Sequence, residues 1–193
     1  MTTSTRDFSR IGLLLVGLGL TMVLRLAIAG NDVTQSAPAG LTFAMALVLL
    51  AAVAGWRVGR LQVIPLLIGI VGGGVLIVAP AWMHLHATTL LFRFPAGFFV
   101  AWAAVVGVVA VAEEILLRGV LFSAVNEVYG PMAAVALTSI AFGLLHVPLY
   151  GWNALPLDLA VGFWLGGLRL LSGGVTAPAV AHVLADVAAW WLL

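Results

Sequence analysis

Glu113, Glu114 and Arg118 stand within the stretch VAEEILLRGV (111–120), His146 stands in a second apolar run, and His182 and Asp186 share a third. These residue types allow hydrolysis. A carboxylate beside imidazoles, away from bulk water, can act as a general base on water. A second imidazole, or another donor, can stabilise the oxyanion formed when water adds to a carbonyl. The same Glu and His set can instead ligate a divalent metal such as Zn2+, with metal-bound water as the nucleophile. No His-Glu-x-x-His is present, so the usual zincin signature is missing. No Ser–His or Cys–His nucleophile system is indicated, and the chain has no cysteine. Water alone and metal-bound water both stay open at this level.

The elements that must position these groups are membrane spans. The chain has 193 residues, of which 64% are hydrophobic and 8% charged, with a mean hydropathy of +1.22. A soluble domain carries about 25% charged residues. This chain therefore needs lipid as its solvent, and the fold class is an all-α polytopic transmembrane helical bundle. Apolar runs of about 20 residues fall at 11–29, 41–56, 62–81, 98–125, 131–149, 155–171 and 175–193, which makes about seven spans with the sixth short. Turn chemistry separates them at 31–40, 56–60, 92–97, 129–131, 150–156 and 172–174. Residues 1–10 are polar, but the run 11–29 is too long for a cleaved signal and reads as a retained first span. Arg6, Arg10, Arg57, Arg60 and Arg169 fall on or near the inner side if the N-terminus is cytoplasmic, while Arg25 and Arg93 lie towards the outer one. That balance favours an N-terminus inside. A net charge of +1 without a basic patch offers nucleic acid nothing to bind. All eight basic residues are Arg, which together with the Ala, Gly and Val content hints at a GC-rich bacterial gene.

Ionisable groups inside spans are costly and by default mark function. Helical geometry sorts them. Neighbouring residues point about 100° apart, so Glu113 and Glu114 are not expected to enter one narrow site together. Glu114 and Arg118 are i,i+4 with the acid first; Arg118 then neutralises Glu114 and leaves Glu113 free. At about 1.5 Å per residue, Glu113 and His146 each lie about 25 Å from the turn at Gly130 and are level with each other. His182 lies only about 12 Å from the turn at Gly174, a mismatch unless that turn is recessed in the bilayer. His182 and Asp186 share a helical face. Asp158 reads as a first-turn acid favoured by the helix dipole, Arg25 as a side chain that snorkels outward, and His84 and His86 as interfacial. Gly55-x-x-x-Gly59 and Gly162-x-x-x-Gly166 read as close-packing patterns, and Gly72-Gly73-Gly74 as a flexible or tightly packed point. Trp56, Trp82, Trp152, Trp190 and Trp191 read as interfacial anchors.

Glu113-Glu114-x-x-x-Arg118, Phe142-x-x-x-His146 and His182-x-x-x-Asp186, in that order on three apolar runs, resemble the motifs of the CPBP family. These are the CAAX prenyl proteases and bacteriocin-processing enzymes, also called the ABI or type II CAAX endopeptidase family. The stretch SGGVTAPAVAHVLAD (172–186) is similar to its last motif. The resemblance covers 98–193, a CPBP-like core within a single membrane domain (1–193), with 1–97 as additional N-terminal transmembrane helices. It implies an intramembrane endopeptidase acting on membrane-associated peptides or proteins in the lipid bilayer. By resemblance Glu113 is the base that activates water, His146 assists it, and Glu114 and Arg118 hold the site. His182 and Asp186 would bind water, the oxyanion or a metal. The prenyl proteases carry Asn where this chain has Asp186. An ionised Asp accepts hydrogen bonds and cannot donate them, which argues against an oxyanion role and against a prenylated CAAX substrate. Two other classes compete. A non-catalytic membrane scaffold with a role in immunity or secretion would not need the polar set intact. A proton or cation pathway would need polar residues reaching both faces, and the apolar stretch 98–112 interrupts one.

Overall fold

The computed structural model of the chain describes residues 5–32, 34, 36–59, 62–82 and 98–192. Every regular element among them is helical: α1 (Thr5–Ala29), α2 (Ala37–Val53), α3 (Val63–Trp82), α4 (Phe99–Glu114), a π-helix (Ile115–Leu121), α5 (Phe122–Tyr129), α6 (Pro131–Tyr150), a 3-10 turn (Trp152–Ala154), α7 (Leu155–Ser172) and α8 (Thr176–Leu192). Four stretches are long and apolar enough to cross a membrane: Phe8–Ala29, Phe99–Tyr129, Pro131–Tyr150 and Trp152–Ser172; Ala37–Val53 and Val63–Ala79 are shorter apolar helices. The chain is a multi-pass membrane protein, and its helices follow the seven runs read from the sequence. Arg60, His84, His86 and Arg93 lie outside the described residues.

On α1, exposed Leu13, Val16, Leu20 and Val23 are as apolar as buried Ile11, Leu14, Leu18 and Met22. A helix apolar on both faces requires lipid on one of them. The central rod differs. From Ala112 to Phe122 every residue except half-buried Gly119 is buried. α2 packs on α4 and the π-helix, α8 on α4, and α6 on α5 and the π-helix. The ionisable residues of this stretch are thus enclosed by protein and not by lipid.

Small residues draw the surrounding helices in. A Cβ on Gly162 would stand 3.0 Å from Ser139 Cα, and one on Gly166 would stand 2.9 Å from Val135, so α7 lies close against α6. On α3, Gly69 and Gly73 face Ala177, Val180, Ala181 and Leu184 of α8, and Gly72 faces Leu168 of α7, while Gly74 meets nothing within 4 Å. The Gly55/Gly59 pattern turns out otherwise. α2 ends at Val53, Gly55 sits in a turn at φ +92°, and neither glycine approaches another helix. Trp56 is half-buried and packs on Gly119 of the π-helix. Trp190 meets Trp102 at 4.8 Å and Phe99 at 5.5 Å between ring centroids. Trp152 is 69% exposed, as an interfacial anchor would be.

The turn from α7 to α8 explains the depth of His182. α7 ends at Gly173, whose φ of +71° closes the helix and returns its N–H to Arg169 O at 3.1 Å. Val175 then lies against Gly119, and Arg169 reaches Arg118 O. The turn stands beside the middle of the rod, well short of the Gly130 end. Eight residues further on, His182 is level with Glu113 and Glu114.

Candidate active site

The rod changes winding where the chemistry lies. α4 ends at Glu114, and the following residues adopt π-helical spacing, so that Phe122 N–H bonds back to Leu117 O. Such wide turns appear mostly as single-turn insertions at functional sites. Nothing in the sequence Ile115–Leu121 announces one.

Glu114 is wholly buried and doubly bound. Its Oε1 accepts from Arg118 Nη1 at 2.7 Å and from His182 Nδ1 at 3.0 Å. Arg118 Nη2 donates to Gly162 O at 3.0 Å, and its guanidinium lies 4.8 Å from the Phe142 ring centre. The close α6–α7 contact that needs Gly162 therefore also delivers its carbonyl to Arg118. Glu114 Oε2 and Arg118 Nε have no hydrogen-bond partner among the described residues.

His182 is 3% exposed and uses both nitrogens. Because Oε1 of Glu114 accepts, Nδ1 carries a proton. Nε2 faces Asp186 Oδ2 at 3.5 Å and Glu113 Oε2 at 4.0 Å. Glu113 and Glu114 point apart, as their 100° separation requires, and one imidazole sits between them, a nitrogen towards each. His146 Nδ1 lies 2.9 Å from Phe142 O. A carbonyl only accepts, so Nδ1 is the protonated nitrogen and Nε2 is left as an acceptor. The Phe142 ring lies between the two imidazoles, at 4.3 Å from His146 and 5.3 Å from His182.

A cavity of about 490 Å3 opens on this cluster. Glu113, His146 and Asp186 line it together with Tyr150 and Arg25, and Trp102 and Val109 are among its apolar wall. It reaches Thr34, Ser36 and Phe98, at the end of the bundle where α1 joins α2. The apolar stretch 98–112 thus forms one wall of an open space. His182 is not among the lining residues. It stands behind Glu113 and Asp186, so among the described residues the one imidazole on the wall of the hollow is that of His146. Glu114 and Arg118 also lie behind it.

Two lining residues were missed. Tyr150 stacks on His146 at 5.7 Å, and Phe142, His146 and Tyr150 at i, i+4 and i+8 were a legible face. Arg25 was expected to snorkel outward; it is instead 7% exposed, turned inward over the Phe43 ring. Its register with Ile11, Leu14, Leu18 and Met22 was the overlooked signal. Asp158 does lie in the first turn of α7; its Oδ2 has no hydrogen-bond partner among the described residues.

No group of three His, Asp or Glu among the described residues is placed to hold a metal. His182 divides its nitrogens between different carboxylates, and His146 gives Nδ1 to the backbone, which leaves its Nε2 as an acceptor. A carboxylate and an imidazole acceptor on one cavity wall can position and deprotonate a water.

Residues 95–188 match the family model described as Type II CAAX prenyl endopeptidase Rce1-like. No curated protein and no solved structure matches the chain.

Proposed function

We propose, from the match of residues 95–188 to the type II CAAX prenyl endopeptidase family model, that the chain is an intramembrane endopeptidase hydrolysing membrane-associated substrates with water activated by Glu113. The observation that carries this reading is that Glu113, His146 and Asp186, from three separate helices, line one cavity. In this mechanism a water sits between Glu113 and His146. One of its protons points to the Glu113 carboxylate and the other to His146 Nε2, which aims a lone pair at the substrate carbonyl. Glu113 takes the first proton as the oxygen adds to the carbonyl carbon. It returns that proton to the amide nitrogen as the C–N bond breaks, giving a carboxylic acid and an amine. His182 holds Glu113 and Asp186 in place from behind, and Glu114 with Arg118 holds His182. Asp186 serves as a partner of His182 and not as an oxyanion donor.

Residues 98–193 form the catalytic core in this reading, within a single membrane domain that 1–97 complete. In the same reading the N-terminus lies in the cytoplasm. Arg10 pairs with Glu127 at 3.3 Å and reaches Ala54 O at 3.4 Å, which gathers the N-terminus, the end of α2 and the end of α5 at one arginine-bearing end. The test is a cleavage assay in detergent on purified wild type and Glu113→Gln. Loss of cleavage by a variant that still purifies folded supports the assignment; undiminished cleavage refutes it.

A further inference from the structure

When water adds to the substrate carbonyl, the carbonyl oxygen becomes an oxyanion that needs a hydrogen-bond donor, and none of the groups that activate the water supplies one. The imidazole protons are spent: His182 Nδ1 donates to Glu114, its Nε2 faces Asp186 and Glu113, and His146 Nδ1 donates to Phe142 O. Asp186 as a carboxylate only accepts. Of the other polar residues on the cavity wall, Trp102 stands eleven residues along α4 from Glu113, roughly 16 Å away. Thr34 and Ser36 lie at the far end of the space, where Ser36 caps α2. Arg25 lies against the Phe43 ring, 5.1 Å from its centre. Tyr150 stands apart from these. It is the last residue of α6, one turn beyond His146, and its ring runs within 13° of parallel to the imidazole, with centroids 5.7 Å apart. Helical side chains lean towards the N-terminus of their helix, so the phenol lies back over the turn that carries His146. It lines the same cavity as Glu113, within electrostatic reach of Asp186, Arg25 and Glu113. Its hydroxyl has no hydrogen-bond partner among the described residues.

We infer that Tyr150 is a catalytic residue whose hydroxyl donates a hydrogen bond to the oxyanion of the tetrahedral intermediate. This rests on the hydrolase reading. As the water oxygen bonds to the carbonyl carbon, the π pair of the C=O bond moves onto the carbonyl oxygen. Tyr150 O–H holds that charge and keeps its own proton. When the C–N bond breaks, the pair returns to the C=O bond, and the proton that reaches the nitrogen is the one Glu113 took from water. The phenol joins a hydroxyl donor to an apolar ring that packs on His146, so the face that fixes the imidazole also fixes the donor beside it.

The experiment compares the full-length wild type with Tyr150→Phe in detergent, a change that keeps the ring and its stacking and removes only the hydroxyl. For cleavage of a membrane-associated peptide, the variant should lose at least about a hundredfold in kcat, with KM within about twofold of the wild type and the unfolding midpoint unchanged. Binding is read by tryptophan fluorescence, since Trp102 lines the cavity. The probes are acetyl-Val-Leu-Leu-Val amide and its analogue with the central amide replaced by a phosphinate, whose anionic oxygen copies the oxyanion. The wild type should bind the phosphinate at least about a hundredfold tighter than the amide, and Tyr150→Phe should lose most of that gain while binding the amide as before. A Tyr150→Phe variant that keeps the wild-type kcat, or keeps the full preference for the phosphinate, overturns the inference. So does an equal loss of both probes or a lowered unfolding midpoint in that variant, either of which marks a structural role. Absence of cleavage by the wild type overturns the hydrolase reading and this inference with it, whereas cleavage that persists in Tyr150→Phe overturns the inference alone.

Discussion

At the scale of single residues, the buried charges divide into one group that holds and one that reacts. Glu114 and Arg118 are 0% exposed and pair with each other, with His182 and the Gly162 carbonyl as further partners. Removing one member of such a pair strands the other. Arg118→Ala should therefore destabilise the protein by about 3–5 kcal/mol, seen as a lower unfolding midpoint in detergent. Glu113 has a different environment, since its carboxylate faces a cavity. Glu113→Gln should leave the unfolding midpoint near wild type and lower the cleavage rate at least about a hundredfold. A Glu113→Gln variant as unstable as Arg118→Ala would mean that Glu113 is a structural charge. Glu113, Glu114, Arg118, His146, His182 and Asp186 were legible as candidates because lipid makes an idle charge expensive. Arg25 was not, because its nearness to a span end suggested an escape to the interface, although it continues the buried stripe of α1.

At the scale of elements, the π-helix and the close α6–α7 contact assemble the site. Arg169 Nε donates to Arg118 O at 2.8 Å, and its guanidinium lies 5.0 Å from the Phe122 ring centre. Arg169→Ala removes that donor from a buried carbonyl, with an expected cost of about 1–3 kcal/mol, measurable by thermal unfolding. Gly162→Ala places a methyl 3.0 Å from Ser139 Cα. α7 must then retreat and carry its carbonyl away from Arg118, at a cost of about 1–3 kcal/mol. Gly74→Ala, with open space around it, serves as the neutral control. Span limits were readable to within a few residues, because Gly, Pro and polar residues interrupt the apolar runs. The π-helix was not, because Ile115–Leu121 is enclosed by protein on nearly all sides and its apolar pattern carries no phase. The Gly55/Gly59 pattern misled for the related reason that spacing alone does not show whether a helix still continues.

At the scale of the whole molecule, lipid-facing helices surround one rod whose middle is sealed, and a cavity of about 490 Å3 reaches Glu113. If Glu113 alone activates the water, as proposed, chelation should leave cleavage unchanged, with metal analysis of the purified protein run alongside. Loss of activity on chelation, restored by one added metal, would require a different nucleophile. The recessed turn after α7 is a property of the assembled bundle: counting residues from Gly174 put His182 at the wrong depth until the packing of Val175 on Gly119 was seen. The central claim is that Glu113 directs a water onto the peptide carbonyl without bonding to the substrate. Its most direct test is single-turnover cleavage of a membrane-associated peptide in water carrying a heavy oxygen isotope, by wild type and Glu113→Gln. The account predicts one heavy oxygen in the new product carboxylate, none on Glu113, and no product from the variant. Heavy oxygen retained on Glu113, or product formed by the variant at the wild-type rate, would contradict it.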